Sequence, residues 1–367
     1  MKRLPAGTSG WTFLLSSLYG AGVRLRNKLF DWKILQSKSF DIPVICVGNL
    51  SVGGTGKTPH TEYLIDLLQD KYQIAVLSRG YKRKTKGYLL ADDSTTVQDI
   101  GDEPYQIKKK YPHVIVAVSE SRQTGIEQLM LLTNPKVDVI LLDDGFQHRY
   151  VEAGLNILLT DYNNPFYDDN LMPAGSLREP IVGKRRAQIV IATKCPENMT
   201  PIAYKIVLKG VELAPYQELF FSSYKYTDLR PLFPEVNAEQ RTLDSIKRDE
   251  SILLVTGIAS PDILASELEK YTKKLHLLTY DDHHNFTDKD INSIVSQFNY
   301  LETSKRMIIT TEKDAARLMD HPYLPEIVKE NIYALPIKVK ILQGQQDALN
   351  KKITDYVRTN KRNSILP

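Results

Sequence analysis

Residues 51–58, Ser-Val-Gly-Gly-Thr-Gly-Lys-Thr, stand between an apolar run (Ile42, Val44, Ile45, Val47) and a helix-forming stretch over residues 61–69. Strand, glycine loop and helix in that order form the frame of a phosphate-binding loop. Several backbone N–H groups must close around phosphate oxygens at short range, and Gly53, Gly54 and Gly56 remove the Cβ atoms that would obstruct them. In this reading Ser51, Val52, Gly53, Gly54, Thr55, Gly56, Lys57 and Thr58 cradle a nucleotide. Lys57 reaches the β- and γ-phosphates, and the Thr58 hydroxyl holds Mg²⁺. Ser51 occupies the place of the first glycine in the general G-x-x-x-x-G-K-[ST] pattern. A plain glycine turn is the alternative, but Gly-Lys-Thr at a helix start adds the chemistry of anion binding to the fold context.

Downstream, short apolar runs alternate with helical segments: residues 73–78, 114–118, 137–142, 155–160 and 188–193. Buried strands alternating with helices predict a parallel sheet covered on both faces. Polar residues follow these runs at Ser78-Arg79-Gly80-Tyr81, Ser121-Arg122, Asp143-Asp144 and Asp161-Tyr162-Asn163. Ligands on such sheets bind at the carboxyl ends of the strands. A second α/β series begins near Ile252, after a less regular stretch over residues 212–250. The expected class is therefore α/β: a P-loop NTPase-like parallel sheet flanked by helices, followed by a second, smaller α/β domain. Boundaries fall at 1–35, 36–215 and 216–367, the last domain contributing to the cleft.

A chain of 367 residues suits two such domains. Its net charge of +4 is too small to argue for a nucleic-acid partner. Cys46 and Cys195 have neither metal-ligand spacing nor the density of a disulfide scaffold, which fits a reducing cytoplasm. The opening residues are different. No charge occurs over residues 4–23, after which Arg24, Arg26, Lys28 and Lys33 follow, while Trp11, Leu14, Leu15, Leu18, Leu25, Leu29 and Trp32 recur at helical spacing. Such a helix suits an anionic membrane surface, and equally suits packing on the protein's own core. Gly7, Gly10, Gly20 and Gly22 argue against a cleaved leader, and the interspersed Ser and Thr residues against a spanning segment.

The run ending in Asp143-Asp144 reads as a Walker B strand whose carboxylate holds Mg²⁺, or as a paired-acid turn closing a buried strand. Gly101-Asp102-Glu103-Pro104 offers a base for a substrate hydroxyl, although on sequence alone Asp102 reads better as a helix cap. Asp282-His283-His284 lacks zinc spacing and suits an acid–base or orienting role; His148 reads as structural. In Thr311-Glu312-Lys313-Asp314 the lysine and aspartate are adjacent, unlike the guanine signature N-K-x-D, so ATP is expected over GTP.

Taken together these segments resemble the lipid A 4′-kinase family, the tetraacyldisaccharide 4′-kinases. The likeness covers nearly the whole chain, from Val47-Gly48-Asn49-Leu50 and the glycine loop through Leu77-Ser78-Arg79-Gly80-Tyr81, Gly101-Asp102-Glu103-Pro104 and Asp143-Asp144-Gly145-Phe146-Gln147-His148. It continues through Pro173-Ala174-Gly175 with Leu177-Arg178-Glu179-Pro180, Thr256-Gly257-Ile258-Ala259, Asp282-His283 and Thr311-Glu312-Lys313-Asp314. Ser176 departs from the family's proline, and the absence of a first loop glycine at Ser51 is a family trait.

The resemblance implies ATP-dependent phosphorylation of the 4′-hydroxyl of a tetraacylated glucosamine disaccharide 1-phosphate at the cytoplasmic face of the inner membrane. It implies that Asp102 is the base with His283 tuning it, and that Asp143, Asp144 and Glu179 surround the metal and phosphates. Arg79, Gln147 and Arg178 become weaker substrate or phosphate contacts. The N-terminal helix becomes a membrane anchor. A P-loop ATPase or metallochaperone and a soluble small-metabolite kinase are the competing classes.

Overall fold

The computed structural model describes residues 10–258, 261–282, 284–302, 305–319 and 321–363. It opens with α1 (Gly10–Asp31), β1 (Val44–Asn49), α2 (Lys57–Leu68), β2 (Ile74–Ser78), β3 (Leu89–Leu90), α3 (Val97–Ile100) and α4 (Asp102–Lys110). Next come β4 (Ile115–Val118), α5 (Arg122–Met130), β5 (Val139–Asp143), β6 (Leu155–Asp161), β7 (Ile189–Thr193), α6 (Pro201–Val211) and β8 (Glu218–Tyr226). The remainder is β9 (Arg230–Pro231), β10 (Ser251–Thr256), α7 (Pro261–Leu268), β11 (Lys274–Thr279), α8 (Asp288–Asn299) and β12 (Arg306–Thr311), then α9 (Glu312–Met319), α10 (Glu326–Lys329), β13 (Ile332–Leu335), β14 (Ile337–Ile341) and α11 (Gln346–Asn363).

By internal contacts the chain forms two units. The first takes the described residues up to Ser94, then Ile107–Tyr224 and the residues from Val339 on; the second is Thr95–Gln106 with Lys225–Lys338. The larger sheet runs β14-β8-β7-β6-β1-β5-β2-β4-β3. From β8 to β4 every pairing is parallel, and β3 adds an antiparallel edge. Strands β1, β2, β5 and β7 are buried at every position, as unbroken apolar runs under helices on both faces require. Strands β5, β2 and β4 lie to one side of β1, and β6, β7 and β8 to the other. The carboxyl end of β1 is thus a switch point of the sheet, where crevices open.

Strand β8 falls inside the stretch that reads as irregular. Its fully buried Ser222 and nearly buried Ser223 break the apolar pattern that marks the other strands. Helix α11 returns to the first unit, where the Tyr356 hydroxyl donates to Val44 O (3.0 Å) and accepts from Val44 N (3.1 Å) at the start of β1.

The second unit carries a sheet in the order β11-β10-β12-β13-β9, parallel apart from β9. Alternate residues feed two cores, as the two-residue period of a strand dictates. Leu253, Val255, Ile308 and Ile332 meet Ile291, Ile294 and Phe298 of α8, whereas Ile252, Leu254, Met307 and Ile309 meet Leu264 and Leu268 of α7.

Helix α1 packs by one side only. Ser16 Oγ donates to Leu171 O (3.0 Å) and accepts from Ala174 N (2.8 Å), and Phe30 sits edge-on against Tyr150. Its other side leaves Trp11 75 % and Leu18 63 % exposed, with Leu14, Leu15 and Leu25 also exposed. Among the described residues no helix is long and apolar enough to cross a membrane.

Candidate functional site

The glycine loop leaves β1 at its buried carboxyl end and enters α2 at Lys57. Gly53 (φ 114°) and Gly56 (φ 88°) lie in the region that disfavours a side chain. At Gly56 a Cβ would also stand 1.9 Å from the Tyr224 hydroxyl. Neighbouring strand ends pin the loop. Asn49, fully buried at the end of β1, donates through Nδ2 to Thr55 Oγ1 (2.8 Å), and Thr193 at the end of β7 donates through Oγ1 to Thr55 O (2.9 Å). Val52 N donates to Ser176 O (2.7 Å), tying the loop to the segment that carries Arg178 and Glu179. Within α2, His60 bonds Gly56 O (2.7 Å) and Ser222 Oγ (3.0 Å); burial lowers its pKa to about 4, so it is a neutral brace at neutral pH.

Lys57 is 9 % exposed, and its Nζ lies 3.8 Å from Asp144 Oδ1. Asp144 follows β5 in the left-handed region, with φ 50°. Arg178 Nη1 reaches both of its oxygens, at 3.0 and 3.2 Å. Burial raises the Asp144 pKa, but Lys57 and Arg178 outweigh it and hold the carboxyl below its ordinary value. Asp143, the last residue of β5, is wholly buried and accepts from Thr61 Oγ1 (3.2 Å).

Glu179 occupies a different position. Its Oε1 accepts from Arg186 Nη2 (2.7 Å) and Gln147 Nε2 (3.1 Å), and its Oε2 from Asn27 Nδ2 (3.5 Å). Gln147 Nε2 also donates to Asn49 O (2.6 Å), so this group braces the strand end from which the loop departs. Helix α1 supports the same group: Tyr19 donates to Arg178 O (2.7 Å) and Arg26 to Gln147 O (3.2 Å). The pattern linking α1 to this cluster is invisible in sequence, because Asn27 and Tyr19 belong to no local motif.

Arg122, which the sequence offers only as one of the polar residues that follow strands, lies close to both aspartates. It is 2 % exposed, donating to Ser119 O (2.5 Å) and to the backbone carbonyl of Asp143 (3.4 Å). Burial lowers its pKa to about 10, so the guanidinium stays charged beside the two aspartates. Its only sequence signal is its place after a strand. His148 is pushed down to about 4 by burial and by Arg122 and Arg79, and is neutral.

Asp102 belongs to the second unit, where it accepts from the buried Arg317 at 2.5 Å. His283 lies outside the described residues, so its pairing with Asp102 stands as an expectation from sequence. The neighbouring His284 is structural, bonded to Asp290 (3.0 Å) and stacked on Tyr280 at 4.6 Å. Among the described residues no group of three or more His, Cys, Asp or Glu side chains gathers as a metal site.

A parallel sheet with a lysine-bearing glycine loop at its switch point, facing an ionised aspartate, has the anatomy of a phosphate-handling α/β enzyme. Comparison with known proteins narrows this class. Residues 10–358 match the family model described as Tetraacyldisaccharide-1-P 4′-kinase. A tetraacyldisaccharide 4′-kinase of Bacteroides fragilis is 58 % identical over 97 % of this chain and 95 % of its own. One of Porphyromonas gingivalis is 44 % identical over 96 % and 98 %. The crystal structure of LpxK from Aquifex aeolicus in complex with ATP is similar with a TM-score of 0.72 and 31 % identity, covering 94 % of this chain and 98 % of that one. The chain belongs to the tetraacyldisaccharide-1-P 4′-kinase family.

Proposed function

We propose that the protein transfers the γ-phosphoryl group of ATP to the 4′-hydroxyl of a tetraacylated glucosamine disaccharide 1-phosphate, a lipid A precursor. Family membership along almost the whole chain carries this reading, and the glycine loop with Lys57 turned toward Asp144 supports it. In this proposal residues 51–58 hold the ATP phosphates through backbone N–H groups at the start of α2, and Lys57 neutralises charge growing on the transferred group. The ATP complex of the Aquifex aeolicus relative favours ATP as donor.

The donor set here suits Mg²⁺. Thr58 offers a hydroxyl and Asp144 an ionised, partly open carboxylate next to Lys57, all hard oxygen ligands. An ion held by one or two carboxylates and by phosphate oxygens needs no larger protein cluster. When bound, Mg²⁺ would supply positive charge that offsets the charge of the phosphates. Asp144 is assigned to it first, with Asp143 behind; Glu179, committed to Arg186, Gln147 and Asn27, serves the site by bracing it. Asp102 takes the acceptor proton, with His283 orienting it.

The acceptor is a lipid, and we assign the exposed apolar stripe of α1, with Arg24, Lys28 and Lys33, to the cytoplasmic surface of the inner membrane. The test is incubation of purified protein with ATP, Mg²⁺ and detergent-dispersed tetraacyldisaccharide 1-phosphate, followed by tandem mass spectrometry of the extracted lipid. One added phosphate on the distal sugar is expected. ATP consumption without lipid phosphorylation, or phosphate elsewhere on the lipid, would overturn the reading.

A further inference from the structure

Within the second unit a single buried arginine joins two carboxylates. Arg317, on α9, has a side chain only 3 % exposed; its Nη2 donates to Asp102 Oδ2 (2.5 Å) and its Nη1 to Asp314 Oδ1 (3.1 Å). Asp314 is itself immobilised. It is fully buried, and its Oδ2 accepts from Thr256 Oγ1 (2.9 Å), Gly257 N (3.0 Å) and Thr311 Oγ1 (2.8 Å). Two strand ends, β10 and β12, therefore fix Asp314, Asp314 fixes the guanidinium, and the guanidinium fixes Asp102. Gly101, at φ 87°, makes the turn that delivers Asp102 to this partner at the start of α4. The Asp102 side chain stays 17 % exposed, so it is held without being sealed.

We infer that Arg317 is a positioning residue for phosphoryl transfer, acting through Asp102, and that Asp314 is its anchor. This rests on the reading of Asp102 as the group that accepts the proton. Phosphoryl transfer passes through a loose transition state with little bonding to the acceptor, so a strong base matters less than an ionised carboxylate aimed at the hydroxyl. A fixed guanidinium supplies both: it favours the charged form and, through its planar fork, sets the direction of the carboxylate. Lysine cannot reproduce this, because a single ammonium does not present parallel donors to two carboxylates at once. The Thr-Glu-Lys-Asp segment thus gains a role as a rigid support for a residue more than 200 positions earlier in sequence.

The experiment measures kcat and the KM for ATP in Arg317→Lys, Arg317→Met, Asp102→Asn and the double variant Asp102→Asn with Arg317→Met, with thermal unfolding followed in each. Arg317→Met is expected to lower kcat about 100-fold, within the range a positioned base contributes, with the KM for ATP little changed. Arg317→Lys retains the buried charge and the fold and is expected to lose kcat to a smaller extent. The decisive readout is the cycle: if Arg317 acts through Asp102, the double variant is no slower than Asp102→Asn alone. Losses that multiply, an effect confined to the KM for ATP, or a normal kcat in a folded Arg317→Lys would overturn the inference. Near-normal turnover in Asp102→Asn would instead remove the base assignment, and the inference with it. The Asp102→Asn result thus separates that failure from a failure of Arg317 alone.

Discussion

Lys57 Nζ and Asp144 Oδ1 stand 3.8 Å apart, joining the start of α2 to the turn after β5. The two residues are far apart in sequence, and parallel pairing of β1 with β5 brings them together. Arg178 shares the aspartate, so Lys57 can turn toward a phosphate without leaving Asp144 uncompensated. The same relationship makes Asp144 available to a cation.

Metal dependence follows from that arrangement. Thr58→Ala removes one hard-oxygen donor and should raise the Mg²⁺ concentration needed for half-maximal activity, with partial recovery at high Mg²⁺. Asp144→Asn should do the same more severely. Titration of activity against Mg²⁺ checks both; unchanged metal dependence in the two variants would remove these residues from the metal site.

The two central loop glycines should behave differently. Gly56→Ala meets the Tyr224 hydroxyl at 1.9 Å and sits at φ 88°, a conformation that costs a side chain about 1–2 kcal/mol before any clash. A lowered melting temperature is expected. Gly54 has no positive φ and no heavy atom within 4 Å of its Cβ position, so Gly54→Ala should keep its stability and lose ATP affinity if phosphates fill that space. Melting curves with and without ATP separate the two outcomes.

Acid should weaken the first unit partly through His60. Burial depresses its pKa from 6.5 to about 4, so between those values the unfolded chain binds a proton that the native one refuses. Stability from this residue is therefore complete above pH 6.5 and declines as pH falls toward 4, by on the order of 3 kcal/mol. His60→Gln should flatten that part of the stability profile, measured by urea unfolding across the range.

Membrane binding should depend on the outward side of α1. Trp11 and Leu18 are 75 % and 63 % exposed, so Trp11→Glu with Leu18→Glu should alter stability by less than about 0.5 kcal/mol. Sedimentation with phosphatidylethanolamine–phosphatidylglycerol vesicles should nonetheless fall sharply. Full retention of vesicle binding would show that this stripe is not the docking surface.

Much of the larger sheet was legible because its strands are continuous apolar runs ended by polar residues, and the glycine loop announced where they converge. Strand β8 was not, since Ser222 and Ser223 are buried as strand residues and interrupt the apolar pattern. Lys57, Thr58 and Asp144 stood in recognisable motifs. The Asn27, Gln147 and Glu179 brace and the Arg317 link to Asp102 could not be read, because each depends on residues brought together from distant segments. Asp102 illustrates the difference most clearly. In sequence it resembles a helix cap, and only the folded chain reveals the buried cation beside it.

The central claim is that the Lys57 loop carries the phosphoryl transfer, and single-turnover transfer of radiolabelled γ-phosphate from ATP to the lipid tests it most directly. Enzyme in excess over labelled ATP, quenched over time, isolates the chemical step from product release. Lys57→Ala is expected to fold, to bind ATP measurably and to transfer label about 100- to 1,000-fold more slowly than the parent protein, as loss of a cation facing the developing charge requires. Transfer at a near-parental rate by folded Lys57→Ala would contradict the account.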